Sequence, residues 1–75
     1  MLILTQNKNM IVNLNNVNSI TEYYCEPTRY EIDVHFANGN YATLGEYKTE
    51  ERALEVLANI SERAGAISVH KMPEE

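Results

Sequence analysis

Three side chains that can exchange protons occupy alternate positions of the segment Tyr30–Phe36. Glu31, Asp33 and His35 would share one face of a strand there, because successive side chains of a strand point to opposite faces. Two carboxyls and an imidazole could support a hydrolase or a transferase by general acid–base catalysis. Acids on a solvated strand need no such role, and a lone histidine on an exposed strand is more often only hydrated. We therefore expect no catalytic residue and no enzyme.

Cys25 is the single cysteine of the chain and would be the natural nucleophile for His35 to activate. In a hairpin that turns at residues 26–28, His35 lies opposite Ser19 or Ile20. Cys25 then lies about 20 Å farther along the strand at ~3.3 Å per residue, which separates the pair. Neither Cys25 nor either histidine has a partner at a spacing typical of metal sites, so we expect no metal and no cofactor.

Five tyrosines in a chain with one phenylalanine and no tryptophan are the unusual feature of the composition. Tyrosine is a common strand residue, and it is also enriched at interfaces, where the ring supplies apolar area and the hydroxyl a hydrogen bond. Arg29 adjoins Tyr30, and a guanidinium beside aromatic rings can hold a planar or anionic ligand. We expect the ligand- or partner-binding residues to be Tyr23, Tyr24, Arg29, Tyr30, His35 and Tyr41.

The length of the chain limits the core that it can build. Its 75 residues predict a single domain spanning 1–75 that buries a smaller share of its surface than a larger domain would. Small domains usually gain stability from disulfides, a metal or self-association. With one cysteine and no metal motif, we expect a homo-oligomer.

Charge and the first residues bear on the partner and the compartment. The chain has 11 acidic and 6 basic residues, a net charge of −5, and its basic residues are scattered, so we expect no duplex nucleic acid as a partner. The apolar run Met1–Leu4 stops at Thr5 and is too short for a signal peptide or a membrane span. An unpaired cysteine fits a reducing compartment. We expect a cytoplasmic protein that does not bind membranes.

Hydrophobic patterning predicts two hairpins. The apolar runs Met1–Thr5 and Met10–Leu14 would pair across residues 6–9, where an asparagine can adopt the left-handed conformation of a tight turn. A third strand is expected over Ser19–Cys25. The strictly alternating segment from Tyr30 then turns at Asn38-Gly39 into the fifth strand.

The loop of this last hairpin decides which side chains reach the core. A three-residue loop over 37–39 with a left-handed Gly39 sets Ile32 opposite Leu44, whereas a two-residue loop turns Leu44 onto the Asp33 face. We predict the longer loop, since a slip of one residue moves every side chain to the wrong face. The outer face would then carry Glu31, Asp33, His35, Tyr41 and Thr43.

A helix is predicted over residues 50–64. Thr49 is a suitable N-cap, and two glutamates follow it at the positive end of the helix dipole. Gly65 occupies the position of a C-terminal cap. Ile67 and Val69 alternate with polar residues and predict a short final strand. The apolar stripe of the helix would consist of Ala53, Val56, Leu57, Ile60 and Ala64.

The order hairpin, hairpin, helix, strand predicts an α+β fold. We expect an antiparallel sheet of five to six strands built from two hairpins, with one C-terminal amphipathic helix packed on one face. The other face and at least one edge would be left to solvent or to a partner.

The segments "NLNNVNSI", "FANGNYATLGEYKTEERALEVL" and "MPEE" resemble small uncharacterised proteins of Gram-positive bacteria and their phages. Those proteins carry a similar strand, a glycine turn, "LGEY", a "TEER" helix start and an acidic tail containing proline. The resemblance implies a phage or mobile-element origin, and such genomes encode many small proteins that bind host components. It implies no activity and no site residue.

Three functional hypotheses follow. The leading one is a non-enzymatic, homo-oligomeric binding module, a phage or mobile-element accessory protein that acts on a host protein. The first alternative is a counter-defence protein that sequesters a small signalling nucleotide between subunits, with Arg29 and the tyrosines as its site. The second is a small hydrolase or transferase that uses Glu31, Asp33 and His35. Basic residues clustered around the tyrosines would favour nucleotide binding. An exposed apolar strip would favour a protein partner, and a deep cleft around both acids would favour an enzyme.

Overall fold

The computed structural model describes residues 1–63 and 69–75. It has the predicted α+β class, with six strands and one α-helix α1. The predicted positions Ala64, Gly65 and Ile67 lie outside the described residues. The elements are β1 (Leu2–Leu4), β2 (Ile11–Asn13), a 3-10 turn (Leu14–Asn16), β3 (Val17–Glu26), β4 (Arg29–Phe36), β5 (Tyr41–Tyr47), α1 (Glu50–Arg63) and β6 (Val69–Lys71).

The strands form two three-stranded sheets instead of the single layer that the sequence predicted. The small sheet has the order β2-β1-β6 and the large sheet the order β3-β4-β5. The pairs β1–β2, β3–β4 and β4–β5 are antiparallel, as expected for the predicted antiparallel sheet, but β6 is parallel to β1. Strands β2 to β5 and helix α1 all lie between β1 and β6 in the chain. So long a connection permits a parallel pair, whereas a tight hairpin does not.

The turn of the first hairpin differs from the prediction in one residue. The left-handed conformation belongs to Lys8, with φ 63°, and not to an asparagine. Asn7 contributes through its side chain, whose Oδ1 accepts from Thr5 Oγ1 at 2.8 Å and from the Asn9 backbone amide at 3.3 Å. The asparagine therefore stabilises the turn as a side-chain acceptor.

The β4–β5 hairpin has the predicted three-residue loop. Phe36 donates its backbone N–H to the Asn40 carbonyl at 2.8 Å, and Gly39 between them has φ 91°, which favours glycine. Val34 consequently lies opposite Ala42. The loop prediction is confirmed.

The predicted pairing of Ile32 with Leu44 is wrong, because a β-bulge shifts the ladder. Ile32 lies opposite Gly45, and Leu44 is the additional residue of β5. A regular ladder would turn Tyr47 outward, whereas the bulge returns Tyr47 to the core side together with Leu44. Both side chains are buried, and Glu46 points outward.

One core lies between the inner faces of the two sheets and the helix. The predicted N-cap is confirmed, since Thr49 Oγ1 accepts from the Arg52 backbone amide at 3.2 Å. Leu57 of the predicted stripe is only partly buried. Each fully buried aliphatic side chain stabilises the fold by about 1.5–3 kcal/mol. The core consists of Ile3, Val12, Ile32, Val34, Leu44, Tyr47, Ala53, Val56, Ile60 and Met72.

Gln6 joins the two sheets and the C-terminal segment. Its backbone amide donates to the Leu44 carbonyl at 2.8 Å, and its Oε1 accepts from the Glu46 amide at 2.8 Å. Its Nε2 donates to the carbonyls of Glu46, Pro73 and Glu74 at 3.0 to 3.2 Å. Gln6 thereby covers part of the edge of β5, while β3 has no neighbour on its other side among the described residues.

Candidate functional site

The face of the large sheet that points away from the core, which we call the outer face, carries three rows of side chains. Directly opposed residues of antiparallel strands lie on the same face. The predicted set on this face is confirmed, and the register adds the residues of β3 to it. From one end of the sheet to the other, the rows are Ser19–His35–Tyr41, Thr21–Asp33–Thr43 and Tyr23–Glu31–Glu46.

A shallow depression of about 300 Å³ lies in the middle of the outer face. Tyr23 and Tyr41 flank it and are 59% and 67% exposed, so their rings are available to a partner. Asp33 is buried at its floor, beside the half-buried Glu31. His35 completes the lining. The depression thus combines two exposed aromatic rings with a carboxylate floor, and we call it the tyrosine–carboxylate depression.

Threonine hydroxyls orient the titratable groups of the depression. Thr43 Oγ1 lies 2.8 Å from Asp33 Oδ1 and 3.5 Å from Glu31 Oε1, so its single proton is donated mainly to Asp33. Thr21 Oγ1 lies 3.0 Å from His35 Nε2, and the His35 ring is 6.2 Å from that of Tyr41. Both acids are therefore placed by one hydroxyl.

Arg29 borders the depression and is surrounded by acids. Its Nη2 lies 3.7 Å from Glu31 Oε2, and its Nε lies 3.9 Å from Glu46 Oε1. These are long, partly exposed contacts, and pairs of this kind contribute about 0–1 kcal/mol. These contacts matter more for binding than for stability. The carboxylates already compensate the charge of the Arg29 guanidinium, so it attracts an anionic ligand less strongly.

Cys25 is separated from His35, as the sequence predicted. His35 lies opposite Ser19, at the far end of β3 from Cys25. Partial desolvation raises the pKa of the Cys25 thiol, Glu31 raises it further, and Arg29 opposes the shift. A raised pKa leaves less thiolate, which is the nucleophilic form.

The structure divides the six predicted binding residues between two faces. Tyr23, His35 and Tyr41 meet in the depression, and Arg29 contacts it through Glu31. Tyr24 and Tyr30 lie on the opposite face, where their ring centroids are 5.2 Å apart and tilted by 56°. Tyr30 is separated from the core residues Ile32 and Val34 by an even number of positions, so strand alternation places it on their face, and Tyr24 lies opposite Tyr30. Tyr23, one residue before Tyr24, lies on the other face, and this alternation could have been read from the sequence.

An exposed apolar surface on the small sheet was missed from the sequence. Ile3 and Val12 point into the core, so the alternate residues of the same strands point outward. Strands of three residues are too short for their alternation to be recognised in the sequence. The apolar residues of this surface, which we call the apolar face, are Leu2, Leu4, Ile11 and Val69, with Asn13 and Lys71 at its edges.

The described part of the chain supplies no obvious metal centre. Over residues 1–63 and 69–75, no three or more His, Cys, Asp or Glu side chains are grouped as a metal would require. Within the same residues, α1 falls short of the length and apolar character of a membrane-crossing helix.

Comparisons with protein families, with curated proteins and with solved structures find no match to this chain. The chemistry of its surfaces is therefore the basis for a functional proposal.

Proposed function

We propose that the chain is a small non-enzymatic binding module that holds a protein partner in the tyrosine–carboxylate depression and works as a homo-oligomer. The observation that carries the proposal is the pair of exposed rings, Tyr23 and Tyr41, on either side of Asp33 and Glu31. The resemblance to phage proteins supports a cytoplasmic, phage or mobile-element accessory role in which the partner is a host protein.

The chemistry of the depression favours a basic segment of the partner. Two carboxylates would attract a lysine or arginine side chain, and the faces of Tyr23 and Tyr41 would add cation–π attraction of about 0.5–1 kcal/mol each at exposed sites. The net charge of −5 steers cationic partners toward the molecule. A short basic stretch of the host protein is therefore the ligand class that we assign to this face.

The apolar face supports self-association. Ile11, Val69 and Leu2 are 59%, 44% and 38% exposed. Across the small sheet, Leu2 lies opposite Val69 and Leu4 lies opposite Ile11. A contiguous exposed apolar surface of this kind commonly marks an interface. The face points away from the core that both sheets share, so a second copy bound there leaves the depression open.

The two alternatives gain less from the geometry. A nucleotide phosphate at the tyrosines would meet Glu31, Asp33 and Glu46, and the nearby Arg29 is already paired with two of these acids. An enzyme would need a cleft that excludes water, whereas the acids lie in a shallow depression of a sheet surface.

Binding of short peptides tests the proposed ligand class. Fluorescence anisotropy with labelled pentalysine, pentaarginine and pentaglutamate should show binding of the two basic peptides only, weakening as salt rises. Tyr23→Ala should weaken that binding about two- to fivefold, from the lost cation–π contact. Tyr24→Ala is the matched control, because Tyr24 is adjacent and 55% exposed but lies on the opposite face. Equal effects of the two variants, or binding of pentaglutamate, would refute the proposal.

Light scattering after gel filtration tests self-association separately. The protein should elute as an oligomer at micromolar concentration, and Ile11→Asp should shift it to monomer. Leu54→Asp replaces a comparably exposed leucine on α1 and should leave the mass unchanged. A monomeric wild-type protein would remove the homo-oligomer from the proposal and leave the peptide result standing.

A further inference from the structure

A second concave surface borders the depression and shares Tyr41 with it. It is an open groove of about 1010 Å³ between the β2–β3 connection and the loop of the β4–β5 hairpin. Met10, Val17, Phe36 and Tyr41 give it apolar surface. Five of the nine asparagines of the chain line it, and we call it the asparagine groove. These residues are Asn15, Asn16, Asn18, Asn38 and Asn40.

The lining of the asparagine groove is uncharged. None of its described lining residues is acidic or basic, although the chain has 11 acidic and 6 basic residues. An ionic ligand would lose hydration in this groove without gaining a counter-charge. The lining therefore selects a neutral ligand, in contrast to the cation that suits the depression.

Several of the amides are available for binding. Asn38 Oδ1 accepts from the Asn40 backbone amide at 3.0 Å and is used in the loop. The exposed side chains of Asn16, Asn18 and Asn40 have no hydrogen-bond partner among the described residues. A primary amide offers two donors and one acceptor with two lone pairs. The groove thus presents donors and acceptors side by side next to apolar surface.

We propose that the asparagine groove binds the pyranose rings of an uncharged oligosaccharide. Each sugar hydroxyl is both a donor and an acceptor and so matches a free amide, while the C–H faces of the ring can pack against Phe36 or Tyr41. A nucleobase fits less well. Phe36 shares the face of Val34 and Tyr41 that of His35, so the two rings cannot enclose a flat base between them.

The test is an NMR titration of the isotopically labelled protein. The probes are oligomers of glucose, mannose and N-acetylglucosamine, with oligogalacturonate as the charged counterpart. At least one neutral series should shift the backbone amides of Asn16, Asn18 and Asn40, and oligogalacturonate should not. Retention of the protein on insoluble cellulose or chitin would then distinguish a polymer surface from a free sugar as the source of the rings.

Variants connect the binding to the amides. The double variant Asn16→Ala/Asn40→Ala should weaken binding about tenfold, as expected for two lost hydrogen bonds. Asn9→Ala is the matched control, because Asn9 is an exposed turn asparagine outside the groove. Tyr23→Ala should not change sugar binding, which makes this result independent of the peptide result. Absence of shifts with all neutral sugars, or equal loss with Asn9→Ala, would overturn the proposal.

Discussion

Replacement of Tyr47 by alanine tests the β-bulge directly. Tyr47 and Tyr41 belong to the same strand, yet Tyr47 is 3% exposed and Tyr41 is 67% exposed. Without the bulge at Leu44, the alternation of β5 would turn Tyr47 away from the core. Tyr47→Ala should therefore be far more destabilising than Tyr41→Ala only if the bulge is present.

The magnitude follows from the environment of the ring. Deleting a large buried aromatic side chain costs about 3–5 kcal/mol. The Tyr47 hydroxyl also donates to the Pro73 carbonyl at 2.8 Å, a hydrogen bond that contributes about 1 kcal/mol. A domain of this size has a total stability of about 4–11 kcal/mol, so the variant should lose a third or more of it. Tyr41→Ala should change the free energy of unfolding by less than about 1 kcal/mol.

Urea denaturation followed by circular dichroism measures both variants on the same scale. The midpoint for Tyr47→Ala should fall clearly below that of the wild type, and its melting temperature should drop by about 15 °C or more. Tyr41→Ala should retain the wild-type midpoint within error. Equal losses in the two variants, or a larger loss for Tyr41→Ala, would refute the bulged register.

Three further outcomes are expected. Burial raises the pKa of Tyr47 to about 12, so its phenol ionises at lower pH in the unfolded state than in the folded state. Stability should therefore fall as the pH rises from 10.0 towards 12, which urea midpoints and tyrosine absorbance would report. Ionisation of every tyrosine near pH 10 would contradict this expectation. Desolvation, with a smaller effect of Arg63, lowers the pKa of the buried His70 below 6.5, so stability should fall as the pH drops through 6.5. His70→Leu should make the free energy of unfolding from urea titrations depend less steeply on pH. An unchanged pH dependence would mean that other groups cause it. Gln6→Ala should reduce the free energy of unfolding by about 1–3 kcal/mol and speed the hydrogen exchange of the Met72 and Glu46 amides. Unchanged exchange would show that Gln6 does not hold the C-terminal segment in place.

Local patterns in the sequence were sufficient for the elements with many regular repeats. The alternation from Tyr30 to Phe36 predicted β4 and its two faces, and Thr49 with the apolar stripe of α1 predicted the helix. The three-residue loop followed from the need to keep Leu44 with the apolar residues. In each case, neighbouring residues in the chain contain the information.

Features that depend on distant residues were not predicted. The partners of Gln6 lie about 40 or more positions away in the chain, and one of them is Leu44, the additional residue of the bulge. The parallel pairing of β6 with β1 has the same origin. For the candidate site, composition identified the tyrosines, but only the register separates Tyr23 from Tyr24 and brings Tyr23 to Asp33.

The pairing of β1 with β6 has a consequence for the order of folding. The large sheet and α1 consist of segments that adjoin in sequence, so their contacts can form while the chain is still being made. β1 can pair with β2 early, but its other edge has to wait for residues 69–71, and the cost of closing so long a loop is met only then. Until that moment this edge of β1 is unpaired, and His70 and Met72 do not yet cover the core. Before residues 69–71 pair with β1, the newly made chain therefore exposes an open strand edge at which it can associate with other chains.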